Sequence, residues 1–153
     1  MNDCTLCVQS KEQVAIVHID FSKAFDVVSH SKLFTRLYSY GIRGSVLSWL
    51  KNFLTGRTHQ TKVGWCVSDI ADLLSGVVQG SGIGPCMFLI YINELLAELA
   101  KYNITVKAFA DDVKLYLQIM DDLDVTRLQL AVDVLCKWAK DWQLTISEEE
   151  AAY

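Results

Sequence analysis

A single proline, Pro85, stands among 153 residues, so the chain holds no Pro-rich linker or polyproline segment. Histidine is scarce at three residues, and none is spaced to complete a zinc site with a cysteine pair. Basic residues are in the minority, 14 Lys and Arg against 18 Asp and Glu. The resulting formal net charge of −4 argues, on its own, against a nucleic-acid-binding domain. No apolar run suffices for a bilayer, because the longest apolar-rich stretch, Met87 to Leu99, is broken by Asn93, Glu94 and Glu98. The N-terminus carries Asp3 and lacks a basic segment followed by an apolar run, so a secretory signal is not expected. The five cysteines (Cys4, Cys7, Cys66, Cys86, Cys136) are odd in number and mostly scattered, as in reduced intracellular thiols. Cys4-x-x-Cys7 resembles half of a zinc or redox site but has no second pair.

What is present is apolar content, at 52%, which places the chain among globular proteins with one domain and a real core. Gln13 to Asp20 reads as a buried strand ending in an acid. Ser29 or Ser31 can N-cap a helix through Leu33, Phe34, Leu37 and Tyr38, with Gly41 as its stop. A second helix over 45–54 places Val46, Trp49, Leu50 and Phe53 on one face and stops at Gly56. From Arg57 to Val78 the pattern turns β-like, with a turn expected at Val67-Ser68-Asp69. Pro85 suits the first turn of a long helix reaching about Tyr102. Strands are expected over 104–109 and 113–119, and a final helix over 124–141 with Leu128, Ala131, Val132, Leu135 and Trp138 at helical spacing. The order β-α-α-β-β-α-β-β-α predicts an α+β fold, an antiparallel sheet with helices packed on one face.

Between the last two strands stands Phe109-Ala110-Asp111-Asp112. Two adjacent carboxylates at a hairpin tip repel each other, and a cation beside them relieves that repulsion. Hard divalent ions such as Mg²⁺ bind carboxylate oxygens and keep phosphates among their other ligands. The plainer alternative is a type I′ turn that uses Asp for its tolerance of left-handed backbone. Asp20, at the end of the first strand, supplies a third acid if that strand lies beside the hairpin. Two Mg²⁺ ions on such a cluster suit an in-line displacement at phosphorus.

Three segments in order, Asp20-Phe21-Ser22-Lys23-Ala24-Phe25-Asp26-x-Val28-x-His30, Gly76-Val77-x-Gln79-Gly80-Ser81-x-x-Gly84-Pro85 and Phe109-Ala110-Asp111-Asp112, resemble the palm motifs of reverse transcriptases. Their wording is similar to that of non-LTR (LINE-type) retrotransposons, and the resemblance covers about residues 13–147. It implies an RNA-directed DNA polymerase palm that adds deoxynucleotides to a primer 3′-hydroxyl on an RNA template. It further implies a cofactor of two Mg²⁺ ions, with Mn²⁺ as a substitute, and partners comprising RNA template, DNA primer and dNTPs, with no membrane. The implied location is nuclear or cytoplasmic, and oligomeric state is left open. Carried over by position, Asp20, Asp111 and Asp112 are the catalytic and metal-binding acids, with the Phe21 carbonyl as a further ligand. Phe25 matches the aromatic under the incoming sugar, where a ring leaves no room for a 2′-hydroxyl. Gln79, Gly80 and Ser81 match the loop along the template base and incoming nucleotide, where glycine permits close backbone approach.

Other residues read as structure. Asp26 is expected to cap or turn the chain, His30 to bond local backbone, and His18 to pack. Lys23 and Lys107 lie near the acids in sequence and can meet phosphates, although isolated lysines are usually solvated. Trp49, Phe53, Trp138 and Trp142 read as core rather than as a base-stacking platform. Residues 1–12 are expected to be a short N-terminal remnant, 13–147 the palm domain, and 148–153 an acidic tail. Relative to the family pattern the chain reads as a partial domain, lacking most of the fingers, the thumb and a lysine expected after Leu144. The rival enzyme within the palm class is a group II intron or viral polymerase, whose wording fits less well. The non-enzymatic alternative is a truncated, catalytically inactive retroelement remnant.

Overall fold

The computed structural model describes residues 13–147. Cys4, Cys7 and the stretches 1–12 and 148–153 lie outside those residues. The chain divides into two compact units: one takes the described residues through Lys23 and from Ile92 onward, and the other is Ala24–Tyr91.

The first unit is built on a three-stranded antiparallel sheet of β1 (Val14–Ile19), β8 (Asp112–Gln118) and β7 (Thr105–Phe109), with β8 central. Its register pairs Val14 with Gln118 and Ile19 with Val113 on one side of β8, and Thr105 with Tyr116 and Phe109 with Asp112 on the other. Alternation sorts the two faces. Ile19, Val113 and Leu115 are buried, while Ile16, His18, Lys107, Phe109 and Lys114 are exposed. The buried face packs on the last helix, α4 (Asp122–Asp141), which contacts β8 and buries Leu128, Ala131, Leu135 and Trp138. Full burial of one such leucine is worth about 1.5–3 kcal/mol. Asp121 caps α4 by accepting from the Asp124 N–H at 3.0 Å.

The helix ends at Trp142, and left-handed Gln143 (φ 61°) turns the chain so that Leu144 N donates to Ala139 O. β9 (Thr145–Ile146) then pairs with β2 (Phe21–Ser22), and Ser147 N donates to Asp20 O. Both sides of the Asp20 peptide are thus held by strand pairing.

In the second unit α1 (His30–Ser39) starts after Ser29, as expected, although the Ser29 hydroxyl makes no capping bond. It ends at Gly41, where Gly41 N donates to Tyr38 O and Ile42 N to Leu37 O. α2 (Gly44–Leu54) corrects the apolar-face expectation. Leu50 and Leu54 are buried, whereas Val46 and Trp49 are more than half exposed, with Trp49 stacked on Phe53. One amphipathic helix carries more apolar residues than its single buried stripe accommodates.

The β-like stretch forms a ribbon in which β3 (Arg57–His59) pairs with β6 (Ala71–Leu73) and β4 (Lys62–Val63) with β5 (Cys66–Val67). Its turn is Gly64-Trp65, not Val67-Ser68-Asp69. Gly64 takes the left-handed conformation (φ 59°) that a two-residue hairpin loop needs, and Ser68 instead joins the two strand pairs through bonds with Thr61. The long helix α3 (Gly84–Ala100) follows, and its residues are shared between the two units. The architecture is α+β, as the element order predicts. No helix among the described residues is long and apolar enough to cross a membrane.

Candidate active site

The β7–β8 hairpin closes through a two-residue loop, Ala110-Asp111, between the paired residues Phe109 and Asp112. Ala110 holds φ 54°, whereas Asp111 is not left-handed. That is the pattern of a type II′ turn and not of type I′. The turn therefore does not use Asp for left-handed tolerance, since the residue in the left-handed region is an alanine. A β-carbon there costs about 1–2 kcal/mol, and strain of this kind gathers at functional loops. Ala110→Gly is expected to raise stability by up to about 1 kcal/mol, seen as a higher urea midpoint, after the entropy of the more flexible unfolded chain is deducted. An equal or lower midpoint would show the loop to be unstrained.

Because Ile19 pairs with Val113, Asp20 comes next to the β8 end that carries Asp112. The electrostatics register this placement. The Asp20 carboxyl is held above the ordinary carboxylate range, by partial burial first and then by the negative charges of Asp111 and Asp112, with the Phe21 backbone opposing. All three acids lie in the first unit. They share an electrostatic field, yet among the described residues no three His, Cys, Asp or Glu side chains are gathered tightly enough to grip a metal ion. The donor set, all hard carboxylate oxygen, suits Mg²⁺, and the strain on Asp20 is of the kind a cation relieves. Phe21 is fully buried, so what this residue offers the site is its backbone.

The second unit contains a cavity of about 260 Å³ lined by Phe25, Val78, Gln79, Gly80, Gly84 and Pro85. The Phe25 ring stacks on buried Phe88 with centroids 4.5 Å apart, which fixes its position. Ser81 does not line the cavity. Its hydroxyl donates to Val78 O at 2.6 Å and accepts from Gly84 N at 3.0 Å, so it shapes the start of α3.

The tail of the first motif grips the second motif. Val77 N donates to Phe25 O, Gly76 N to Val28 O, and Ser75 Oγ to Asp26 O, each at 2.8 Å. His30 Nε2 lies 2.7 Å from Gly76 O, a partner 46 residues away rather than local backbone. Asp26 does sit in a turn, and its carboxylate also accepts from Gln79 Nε2 at 2.7 Å. A carboxylate only accepts, so the amide nitrogen must face it and Gln79 is left presenting its carbonyl oxygen. Periodicity missed both latches, although Asp26 and His30 were visible as fixed letters of the motif.

His18 does not pack; it is exposed on the sheet face opposite Lys114. Lys23 is exposed in a left-handed turn (φ 51°). Trp138 is core and stacks on Trp142 at 5.3 Å. Cys66, Cys86 and Cys136 are free thiols.

The chain is thus an α+β protein with acids at a hairpin tip and at the end of the neighbouring strand, and comparison with known proteins places it in a family. Residues 2–150 match the family model described as reverse transcriptase (RNA-dependent DNA polymerase), and the chain belongs to that family. It is 27% identical over 154 residues to the RNA-directed DNA polymerase from mobile element jockey of Drosophila melanogaster, covering 95% of this chain and 16% of that protein. It is 25% identical over 147 residues to a Pol polyprotein from type-1 retrotransposable element R2 of Popillia japonica, covering 90% of this chain and 23% of that protein. The probable polymerase from transposon X-element of Drosophila melanogaster is 26% identical over 145 residues, 93% of this chain and 16% of that protein. The chain thus spans less than a quarter of the length of these relatives.

Proposed function

We propose that residues 13–147 are the palm of an RNA-directed DNA polymerase from a non-LTR retrotransposon, which adds dNTPs to a primer 3′-hydroxyl on an RNA template. One observation supports the reading: the register that sets Ile19 against Val113 brings Asp20 beside the β8 end that carries Asp112, and there partial burial first, then the charges of Asp111 and Asp112, raise its carboxyl. In this reading the three carboxylates hold two Mg²⁺ ions, or Mn²⁺. Such ions supply a stronger oxygen nucleophile and neutralise charge on the transferring and departing phosphates. Asp20 and Asp111 are the principal ligands, Asp112 is the acid nearer the primer end, and the Phe21 carbonyl completes the set. Phe25, braced by Phe88, excludes a 2′-hydroxyl. Gln79, oriented by Asp26, offers a sugar or base donor an acceptor, and Gly80 lets backbone approach the nucleotide. Ser81 acts through the backbone of the loop. The working location is intracellular, nuclear or cytoplasmic.

Primer extension on an RNA template with Mg²⁺ tests this. The expected result is incorporation that Asp111→Asn abolishes. Phe25→Val should retain dNTP incorporation while improving ribonucleotide use by about 10²-fold, the scale of a steric pocket's discrimination. No incorporation by the parent chain would assign this chain instead to the inactive remnant.

A further inference from the structure

Charge is segregated along the chain. Residues 27–68 contain no Asp or Glu and six Lys and Arg, whereas the other residues hold all 18 acids against eight of the 14 Lys and Arg. The acid-free stretch includes α1 and α2, which pack on each other within the second unit. Phe34 and Tyr38 of α1, like Leu47 and Lys51 of α2, are four residues apart and so neighbour each other along one helix face. With Ser31 and Thr35 they line a surface cavity of about 400 Å³. The Lys51 ammonium lies 5.6 Å from the Phe34 ring centroid, and the Arg43 guanidinium 4.4 Å from that of Tyr38. Cations thus cover these ring faces, which disfavours a stacked base and leaves an apolar groove with a cationic rim. The first unit carries the complement. α4 buries Leu128, Ala131 and Leu135, yet Leu123 and Leu130, seven residues apart on another face, are 71% and 49% exposed. Met120, just before the helix, is 81% exposed. Asp121, Asp122 and Asp133 are exposed in the same segment.

We propose that the α1–α2 groove docks the N-terminal half of α4 from a second copy of this chain, with Leu123 and Leu130 in the groove and the flanking acids against Lys51 and Arg43. An amphipathic helix laid into a groove by apolar anchors seven residues apart is a recurrent mode of recognition. Charge complementarity favours this occupant, because the acid-free groove matches the acidic, leucine-bearing helix face that the same chain exposes. The two surfaces differ, so the contact is heterologous, and a pair of copies keeps one groove and one helix face open for the next. One helix face in one groove is at the small end of specific interfaces, below about 1,200 Å² in total, so association is weak and reversible. The contact uses none of Asp20, Asp111 and Asp112, and it goes beyond the polymerase reading.

Sedimentation velocity of the full 153-residue chain between about 10 and 500 μM tests this. The parent is expected to exceed the mass of two copies as concentration rises, and to fall back toward the monomer in about 1 M salt, where charges are screened within about 3 Å. Tyr38→Glu/Lys51→Glu in the groove and Leu123→Glu/Leu130→Glu on the helix, all at exposed positions, should each be monomeric and keep the parent's melting temperature. Mixed in equal amounts, the two variants restore one native groove and one native helix face, and should form a dimer that grows no further. A variant that merely failed to fold cannot give that recovery. A parent that is monomeric throughout the range overturns the proposal and leaves the groove to another protein. A mixture that stays monomeric, either variant associating as the parent does, or association that strengthens with salt also overturns it.

Discussion

Gly76→Ala is expected to destabilise the protein by about 3 kcal/mol, the sum of a left-handed alanine, a steric overlap and weakened hydrogen bonds. Gly76 holds φ 88°, and an added Cβ would sit 2.7 Å from Asp26 O, a backbone atom with no freedom to withdraw. Displacing Gly76 also disturbs its N–H bond to Val28 O and the His30 contact to its carbonyl. Because Val77 is buried and bonded to Phe25 O, the chain cannot swing outward without exposing core. A loss of about 3 kcal/mol corresponds to a fall in Tm of roughly 10 °C in a chain of this size. Gly82→Ala is the control, since nothing lies within 4 Å of its Cβ position and its φ is not left-handed. Thermal unfolding of both variants decides the matter; equal shifts would mean that the close approach of the two motifs is not what makes Gly76 necessary.

Millimolar Mg²⁺ is expected to raise the Tm of the parent chain and to leave Asp111→Asn nearly unmoved. A ligand that binds only the folded state at a hundred times its Kd adds about 2.7 kcal/mol. The pH dependence without metal follows from Asp20, whose carboxyl is raised above its ordinary value by burial and by Asp111 and Asp112. The fold prefers the protonated form of this group. Its contribution is therefore fully present below the ordinary carboxylate pKa and is lost as pH rises through the raised value. Asp20→Asn should remove that dependence and be more stable than the metal-free parent at neutral pH. Differential scanning fluorimetry across pH, with and without Mg²⁺, reads all three effects. A parent Tm indifferent to millimolar metal would count against a site formed by these acids.

Local signals were reliable where a single segment decides its own conformation. The four helices and the sheet strands fall within a few residues of where periodicity puts them, because a repeat of 3.6 or 2 is a property of the segment alone. The stop at Gly41 likewise needs only its neighbours. Expectations about facing fared worse. His18 was expected to pack and Trp49 to be core, yet both are exposed, because alternation says which residues share a face and not which face is covered. The hairpin at 64–65 escaped notice because Ser68 and Asp69 carry strong turn composition of their own.

By itself, the order of residues determined the family, the identity of the acids and the likeness of the three motifs, since these are chemical types at set spacings along one chain. The tertiary structure alone decided that Ala110, and not Asp111, takes the strained turn position. It alone aimed the Gln79 amide through Asp26, and it alone set Lys107 and His18 on either side of Lys114. The physical reason is common to all three. Hydrogen-bond register and backbone φ are settled between segments tens of residues apart, where loop closure and core burial, rather than local propensity, choose the neighbour.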